Sequence, residues 1–251
     1  MSRLGAIRVV VTRAHSQNQL LVTVLAAAGA DVITLPLLEV VPPAQTDTFE
    51  QATANVSDYD LIALTSSNSV AALHTAGVDP KQAPPVVTVG PATTKAARQA
   101  GFEIAIEATR ADAEGLLTTL DEHVDPGTSA RVLLPQAADA RPTLAAGLRI
   151  RGHIVTVVEA YDKRLPETAR DDAHRLFGDR PFGWVTFTSP RIVRHFVDLW
   201  DDWQTRRSGL AAVSIGPVTS RALRAAGVTT LAEATQPTPA AMVEAIEALV
   251  V

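Results

Sequence analysis

The chain has 251 residues, 47% of them hydrophobic and 20% charged, which suits one large or two medium-sized domains with buried cores. It contains no cysteine, so disulfides, thiolate catalysis and cysteine-ligated zinc are excluded. The formal net charge of -5 argues against nucleic-acid binding. No apolar run reaches the roughly 18 residues of a membrane span, and the first residues lack the apolar core of a secretion signal. We therefore expect a cytoplasmic protein that binds neither nucleic acid nor membrane.

Strand-like runs alternate with helix-like runs along the chain, as in βαβ units with parallel sheets. In the first half the pattern predicts strands at 7–12, 61–65 and 86–89, helices at 16–28, 67–76 and 91–100, and one extended run at 31–41. In the second half it predicts strands at 131–134, 154–161, 184–187 and 212–215, and helices at 143–151, 190–199, 217–226 and 239–249. Gly29, Gly77 and Gly101 follow predicted helices and are expected to end them.

An internal repeat links the two halves. VTVGPATTKAARQAG at 87–101 matches VSIGPVTSRALRAAG at 213–227 without a gap. LTSSNSV at 64–70 matches FTSPRIV at 187–193, in the same order along the chain. The sequence therefore predicts two similar α/β units.

Each repeated motif lies where a predicted strand ends and a helix begins. The first helical N–H groups have no partner within the helix, so such a terminus can bind a carboxylate or phosphate. The motifs place hydroxyl groups there, at Thr65-Ser66-Ser67, Thr93-Thr94, Thr188-Ser189 and Thr219-Ser220. Ser and Thr are also common helix N-caps, and for any single motif capping alone is a sufficient explanation. Four such termini in two matching pairs favour a ligand with several carboxylates, bound at the carboxyl ends of the strands.

Other familiar sites are missing from the sequence. There is no dinucleotide or P-loop glycine motif, no H-E-x-x-H and no G-x-S-x-G. The six histidines show no ligand spacing and are expected at the surface, and Asp58 and Asp60 are expected in a loop. Arg13 directly follows the first strand, where it could contact an anionic ligand or pair with a surface carboxylate.

One family matches an ordered set of these motifs. VTRA at 11–14, DYDLIALTSSNSV at 58–70, VGPATTKAARQAG, AEGLL at 113–117, VVEAYDKRL at 157–165, WVTFTSPRIV at 184–193 and SIGPVTSRALRAAG occur in one order. Together they resemble the uroporphyrinogen-III synthase family over essentially the whole chain.

The resemblance implies two flavodoxin- or Rossmann-like α/β domains with parallel sheets, joined by a two-stranded linker. The first domain is then discontinuous, made of 1–37 and 166–251, and the second spans 43–160. The linkers fall at about 37–43 and 160–166, and both carry prolines. The family's product is held in the cleft between the domains, largely by backbone N–H groups.

Several site residues carry over from the resemblance. Tyr161 matches the family tyrosine that faces the cleft, and Arg141 matches an arginine before the helix at 143–151. Gln136 and Val218 depart from the family pattern, because many relatives have arginine and some have threonine there. The predicted substrate-binding set is Arg13, Thr65, Ser66, Ser67, Gly90, Thr93, Arg141, Thr188, Ser189, Gly216 and Thr219.

The implied activity is that of a hydro-lyase, which closes linear hydroxymethylbilane with loss of water and inversion of the terminal pyrrole, in haem and porphyrin biosynthesis. No cofactor and no metal are expected. The chain is expected to be a monomer that receives its substrate from hydroxymethylbilane synthase. Tyr161 is the predicted general acid, although it could instead only shape the cleft or hold a carboxylate. The alternative function is a non-catalytic tetrapyrrole- or polycarboxylate-binding sensor of the same fold.

Overall fold

The computed structural model describes residues 4–5, 7–125, 127–178 and 180–250. The chain forms two compact units, the first made of Met1–Glu39 and Arg164–Val251 and the second of Val40–Lys163. The chain passes between them in strands β3 (Glu39–Val41) and β8 (Ile154–Arg164), which are neighbours in one sheet. These crossings lie within 37–43 and 160–166.

The first unit contains a five-stranded sheet in the order β11-β10-β9-β1-β2, and its strand pairs are parallel. Numbered along the unit, this is the 2-1-3-4-5 order of flavodoxin-like folds, with its switch point between β1 and β9. Its elements are β1 Arg8–Val11, α1 His15–Ala27, β2 Asp31–Thr34, α7 Ala169–Phe177, β9 Gly183–Phe187, α8 Pro190–Asp198, α9 Trp203–Arg206, β10 Leu210–Ser214, α10 Pro217–Ala225, β11 Thr230–Glu233 and α11 Pro239–Val250.

The second unit contains a six-stranded sheet in the order β3-β8-β7-β4-β5-β6. The strands from β8 to β6 are parallel, and the switch point lies between β4 and β7. Its remaining elements are α2 Asp47–Ala54, β4 Leu61–Leu64, α3 Ser67–Thr75, β5 Val86–Thr88, α4 Pro91–Gln99, β6 Ile104–Glu107, α5 Ala113–His123, β7 Arg131–Ala137 and α6 Thr143–Ile150.

Both sheets are covered on two faces. In β1, Val10 packs into one apolar cluster, while Val9 and Val11 pack into another. In β4, Ala63 and its neighbour Ile62 are divided between two clusters in the same way. Successive strand residues point to opposite faces, so these uninterrupted apolar runs are the expected pattern for a parallel strand buried on both sides.

The predicted α/β fold with parallel sheets is confirmed, with element ends shifted by up to three residues. The glycines at the helix ends have positive φ, for example 89° at Gly29 and 76° at Gly77. The extended run at 31–41 contains two strands, β2 and β3, which belong to different sheets. The sequence patterns did not predict β6 and β11, short edge strands that are partly exposed, or helices α2, α5, α7 and α9. In the described chain, no helix is both long and apolar enough to span a membrane.

Candidate functional site

A groove of about 460 Å³ lies at the carboxyl edge of the second unit's sheet. The loops after β4, β5, β6 and β7 form it, so it surrounds the switch point at which α/β sheets commonly bind ligands. It brings together two predicted substrate-binding residues, Thr65 and Arg141. Gln136, which differs from the family pattern, also lines it. Its other lining residues are Val89, Ala111, Asp112, Ala113, Glu114, Ala140, Thr143 and Leu144.

The two Thr-Ser turns act first as helix caps. Ser66 Oγ accepts a hydrogen bond from Asn68 N at 3.1 Å, and Ser189 Oγ accepts one from Ile192 N at 3.3 Å. The capping explanation therefore holds for both serine oxygens. Thr65 and Thr188 are half-buried beside these caps, and Ser67 is exposed in the first turn of α3.

The two Gly-Pro turns also match in the structure. The hydroxyl groups of Thr88 and Thr94 form a hydrogen bond of 2.5 Å. The hydroxyl groups of the repeat-related Ser214 and Ser220 form one of 2.6 Å. Each pair fastens the end of a strand to the first turn of the following helix. The expectation that Thr94 and Ser220 offer hydroxyl donors to a ligand is thus wrong, because both hydroxyls face the sheet.

The other predicted residues of these turns lie close to the fold's interior. Thr93 is 7% exposed and Thr219 is 2% exposed. Gly90 and Gly216 cap α4 and α10 without a side chain. An alanine Cβ at Gly90 would lie 3.0 Å from the Cβ of Ala111, so the glycine lets the loop after β6 approach this turn closely.

The internal repeat continues beyond its most obvious segment. Asp112 Oδ1 accepts from Gly115 N at 2.6 Å at the start of α5, and Thr238 Oγ1 accepts from Ala241 N at 3.2 Å at the start of α11. The positions 112 and 238 have the same separation as Gly90 and Gly216. The shared Ala-Thr at 108–109 and 234–235 was the signal in the sequence that could have revealed this extension.

A smaller pocket of about 240 Å³ lies at the carboxyl edge of the first unit's sheet. It is lined by Ile215, Gly216, Pro217, Val218, Thr219, Ala234, Thr235, Gln236 and Pro237, and none of these side chains is charged. It contains two predicted substrate-binding residues, Gly216 and Thr219. It also contains Val218, which differs from the family pattern and is 57% exposed.

Arg13 lies at the switch point of the first unit, next to the β9 turn that carries Thr188 and Ser189. Its Nη2 donates to Gln17 Oε1 at 3.3 Å, within the first turn of α1. Burial lowers the pKa of the half-buried Arg13 guanidinium from its usual value. Within the described ranges Arg13 makes no ion pair with a carboxylate, so the anion-binding prediction is still open.

Tyr161 lies near the end of β8, where the strand pairing is irregular. Gln136 pairs with Glu159 and Ala137 with Tyr161, so one extra residue, Ala160, forms a bulge. The bulge turns Tyr161 to the same apolar cluster as Ala160, and the tyrosine is 4% exposed. Tyr161 is not among the residues that line the groove of the second unit, and both its acid role and its role in shaping the cleft remain predictions.

Charged groups border the groove of the second unit. Arg110 donates through Nε to Asp112 Oδ2 at 2.6 Å and through Nη2 to Glu114 Oε2 at 3.1 Å. The hydrogen bond from Arg110 lowers the pKa of the Asp112 carboxyl, and the Gly115 N–H acts in the same direction. An alanine Cβ at Gly115 would clash with the Arg110 carbonyl oxygen, so only glycine lets this loop rest on α5.

Histidine and metal chemistry find no support in the part of the chain that the structure describes. His74, His123 and His174 are exposed, His153 and His195 are half-buried, and the side chain of His15 lies outside the described set. Burial, and then the nearby Arg151, lower the pKa of His153. Among the described residues, no three acidic or histidine side chains gather as a metal site.

The chain is a two-domain α/β protein with a pocket at the carboxyl edge of each sheet. The family model described as "Uroporphyrinogen-III synthase HemD" matches residues 19–244. The uroporphyrinogen-III synthase of Synechococcus elongatus is 31% identical over 227 residues, covering 84% of this chain and 83% of its own. A putative uroporphyrinogen-III synthase of Methanothermobacter thermautotrophicus is 31% identical, covering 87% of this chain and 89% of its own.

Solved structures agree at the level of the fold. A mutant uroporphyrinogen III synthase from Thermus thermophilus has a TM-score of 0.63 at 18% identity, covering 97% of this chain and 98% of that one. A uroporphyrinogen-III synthetase from Helicobacter pylori has a TM-score of 0.62 at 19% identity, covering 97% and 99%. The chain therefore belongs to the uroporphyrinogen-III synthase family, and is an enzyme of tetrapyrrole synthesis.

Proposed function

We propose that this chain is a hydro-lyase that converts hydroxymethylbilane into uroporphyrinogen III. It removes the terminal hydroxyl as water, closes the ring and inverts the last pyrrole. The single observation that carries this proposal is the family match over residues 19–244. The duplicated strand-to-helix turns support it, because each pyrrole of such a substrate carries an acetate and a propionate.

The reaction requires mainly that the protein position a flexible substrate with several carboxylates. Loss of the hydroxyl gives an azafulvene, and the substituted carbon of the far pyrrole attacks it to give a spiro intermediate that opens and recloses. The linear substrate also closes spontaneously to the isomer that is not inverted. A hundredfold preference between the closures requires only about 2.8 kcal/mol. We expect the helix N-termini at the carboxyl edges of the sheets, together with Arg13 and Arg141, to hold carboxylates and supply such a preference.

The decisive experiment is incubation with enzymatically made hydroxymethylbilane, followed by oxidation and separation of the uroporphyrin isomers. We expect the inverted isomer to predominate with protein and the other isomer without it. If only the isomer that is not inverted forms, the synthase proposal fails and the non-catalytic binding module takes its place.

Tyr161 is our candidate for the acid that protonates the departing hydroxyl. Tyr161→Phe keeps the buried ring and removes the proton, so turnover should fall about a hundredfold or more, the usual scale of acid catalysis. Unchanged turnover would remove Tyr161 as the acid and leave it the role of shaping the site.

The remaining features of the proposal concern the cellular setting. We propose a cytoplasmic monomer without a cofactor, supplied by hydroxymethylbilane synthase and independent of nucleic acid and membrane. Size-exclusion chromatography with light scattering tests the monomer, and a mass near twice the chain's 26.5 kDa contradicts it.

A further inference from the structure

The pockets at the two sheet edges differ in the charge of their lining residues. The groove in the second unit is lined by Asp112 and Glu114 and, on another loop, by Arg141. In the first unit Thr238 and Ala240 stand at the positions equivalent to the two acids, and the pocket beside them is lined by uncharged side chains.

The equivalent helix start in the first unit forms without an acid at the position of Glu114. Thr238 caps α11 with the same bond that Asp112 provides at α5, so the helix start needs a cap but no second acid. Ala240 replaces Glu114 in an α11 that runs its full length from Pro239 to Val250. The first unit therefore resembles a natural Glu114→Ala substitution. It shows that a helix of this kind forms without an acid at the equivalent position.

The surroundings of Glu114 leave its carboxylate available to a ligand in the groove. Its side chain is 74% exposed, and its contact in the described chain is with Arg110 at 3.1 Å. Arg110 is held more closely by Asp112, at 2.6 Å. The two acids share one guanidinium, so this side of the groove keeps a negative excess, which disfavours carboxylates and favours N–H donors or cations.

A pyrrole of the proposed substrate matches this arrangement. Its N–H lies on one edge of the ring, and its two acidic side chains lie on the opposite edge. The groove offers an acceptor at Glu114, in the first turn of α5, and a donor at Arg141, in the loop after β7.

We infer that the groove in the second unit takes the pyrrole that bears the departing hydroxyl, and that Glu114 accepts a hydrogen bond from its N–H. This inference rests on the proposed synthase function. As the C–O bond breaks, its electron pair leaves with the hydroxyl, which takes a proton from the general acid or solvent and departs as water. The nitrogen lone pair forms the new double bond, so positive charge develops at the N–H that faces Glu114. A carboxylate placed there stabilises the transition state more than the ground state.

Glu114→Gln tests this assignment, because it removes the charge and keeps the size. We expect kcat to fall about tenfold, equivalent to about 1.4 kcal/mol, with KM changed less than about twofold. Glu114→Ala should show the same loss with an unchanged melting temperature, because alanine occupies the equivalent position in the first unit. The matched control is Glu122→Gln, an exposed acid eight residues further along the same helix, or about 12 Å at the helical rise.

Wild-type kcat in Glu114→Gln overturns the inference, as does an equal loss in Glu122→Gln, which would indicate a general effect of net charge. The wild-type protein in the same assay separates this result from the proposed function. If wild type yields no inverted isomer, the synthase proposal itself fails. If wild type is active and Glu114→Gln matches it, only the role of Glu114 fails.

Discussion

The carboxyl edges of the two sheets have similar backbone turns and different side chains. Around the β5–α4 and β10–α10 turns, both units use a glycine cap, a following proline and a buried hydroxyl pair. Around the β6–α5 and β11–α11 turns, one unit has Asp112 and the other Thr238 in the same capping role. The residues that the two units share therefore form the turns. The residues that differ change the charge beside the pockets and can determine which ligand binds.

All three tryptophans lie in the first unit, at Trp184, Trp200 and Trp203. Tryptophan fluorescence therefore follows the unfolding of the first unit, while far-ultraviolet circular dichroism follows both. Used together, these signals separate the effect of a substitution on one unit from its effect on the other.

The largest difference is expected at equivalent positions of α5 and α11. Gly115→Ala places a Cβ against the Arg110 carbonyl oxygen, closer than van der Waals contact allows, so overpacking should lower the free energy of unfolding by about 3 kcal/mol. Ala241→Gly in the first unit should cost only about 1 kcal/mol, as glycine within a helix does. Urea unfolding measures both. Equal losses would mean that the two helix starts are not packed differently.

The buried hydroxyl pairs should be equivalent in energy. Thr94→Val leaves the fully buried Thr88 hydroxyl without its partner, at a cost of about 1–3 kcal/mol. Ser220→Ala should cost about the same in the first unit, and the double variant Thr88→Val with Thr94→Val should recover most of the loss. Clearly unequal single losses in urea unfolding would break the energetic equivalence of the two turns.

Because of Arg141, substrate binding at the groove of the second unit should depend more on charge than binding at the pocket of the first unit. Arg141→Ala removes a guanidinium from the rim of the groove, and we expect KM to rise about tenfold, or about 1.4 kcal/mol. Arg149→Ala, an exposed residue further along the same segment, is the control and should leave KM unchanged. A KM unaffected by Arg141→Ala would remove this arginine from the binding set.

The smallest effect is a pH dependence at the start of α5, in the second unit. The hydrogen bond from Arg110 lowers the pKa of Asp112 below its usual value of 3.8. A carboxylate with a lowered folded-state pKa stabilises the fold above the unfolded-state value and loses this contribution as the pH falls through the folded-state value. The start of α5 should therefore weaken below pH 3.8, whereas Thr238 does not titrate.

Hydrogen exchange of the α5 amides as the pH is lowered measures this loss. Asp112→Asn keeps a cap and should remove that part of the dependence, although Asp121, whose pKa the Arg151 hydrogen bond also lowers, continues to titrate. An unaltered pH profile in Asp112→Asn would contradict the prediction.

Much of the architecture could be predicted from the sequence. Buried parallel strands such as Arg8–Val11 and Leu61–Leu64 are apolar runs, and helix ends such as Gly29 need a positive φ that glycine provides, so local chemistry determines both. The edge strands β6 and β11 were missed because they are four residues long and partly exposed, which leaves no strong periodic signal. The run at 31–41 was predicted only as extended chain, because the apolar pattern does not show where one strand ends and the next begins.

Most of the site depends on contacts between distant parts of the chain. The sequence alone determined the repeat, the class of fold and the positions of the strand-to-helix turns, because these follow from periodicity and from residues a few places apart. Only the tertiary structure decided that Thr94 and Ser220 face the sheet, that a bulge buries Tyr161, and that Glu114 and Arg141 share a groove. The reason is geometric: the side chains of a groove at a switch point come from loops after four different strands, and sheet topology brings those loops together.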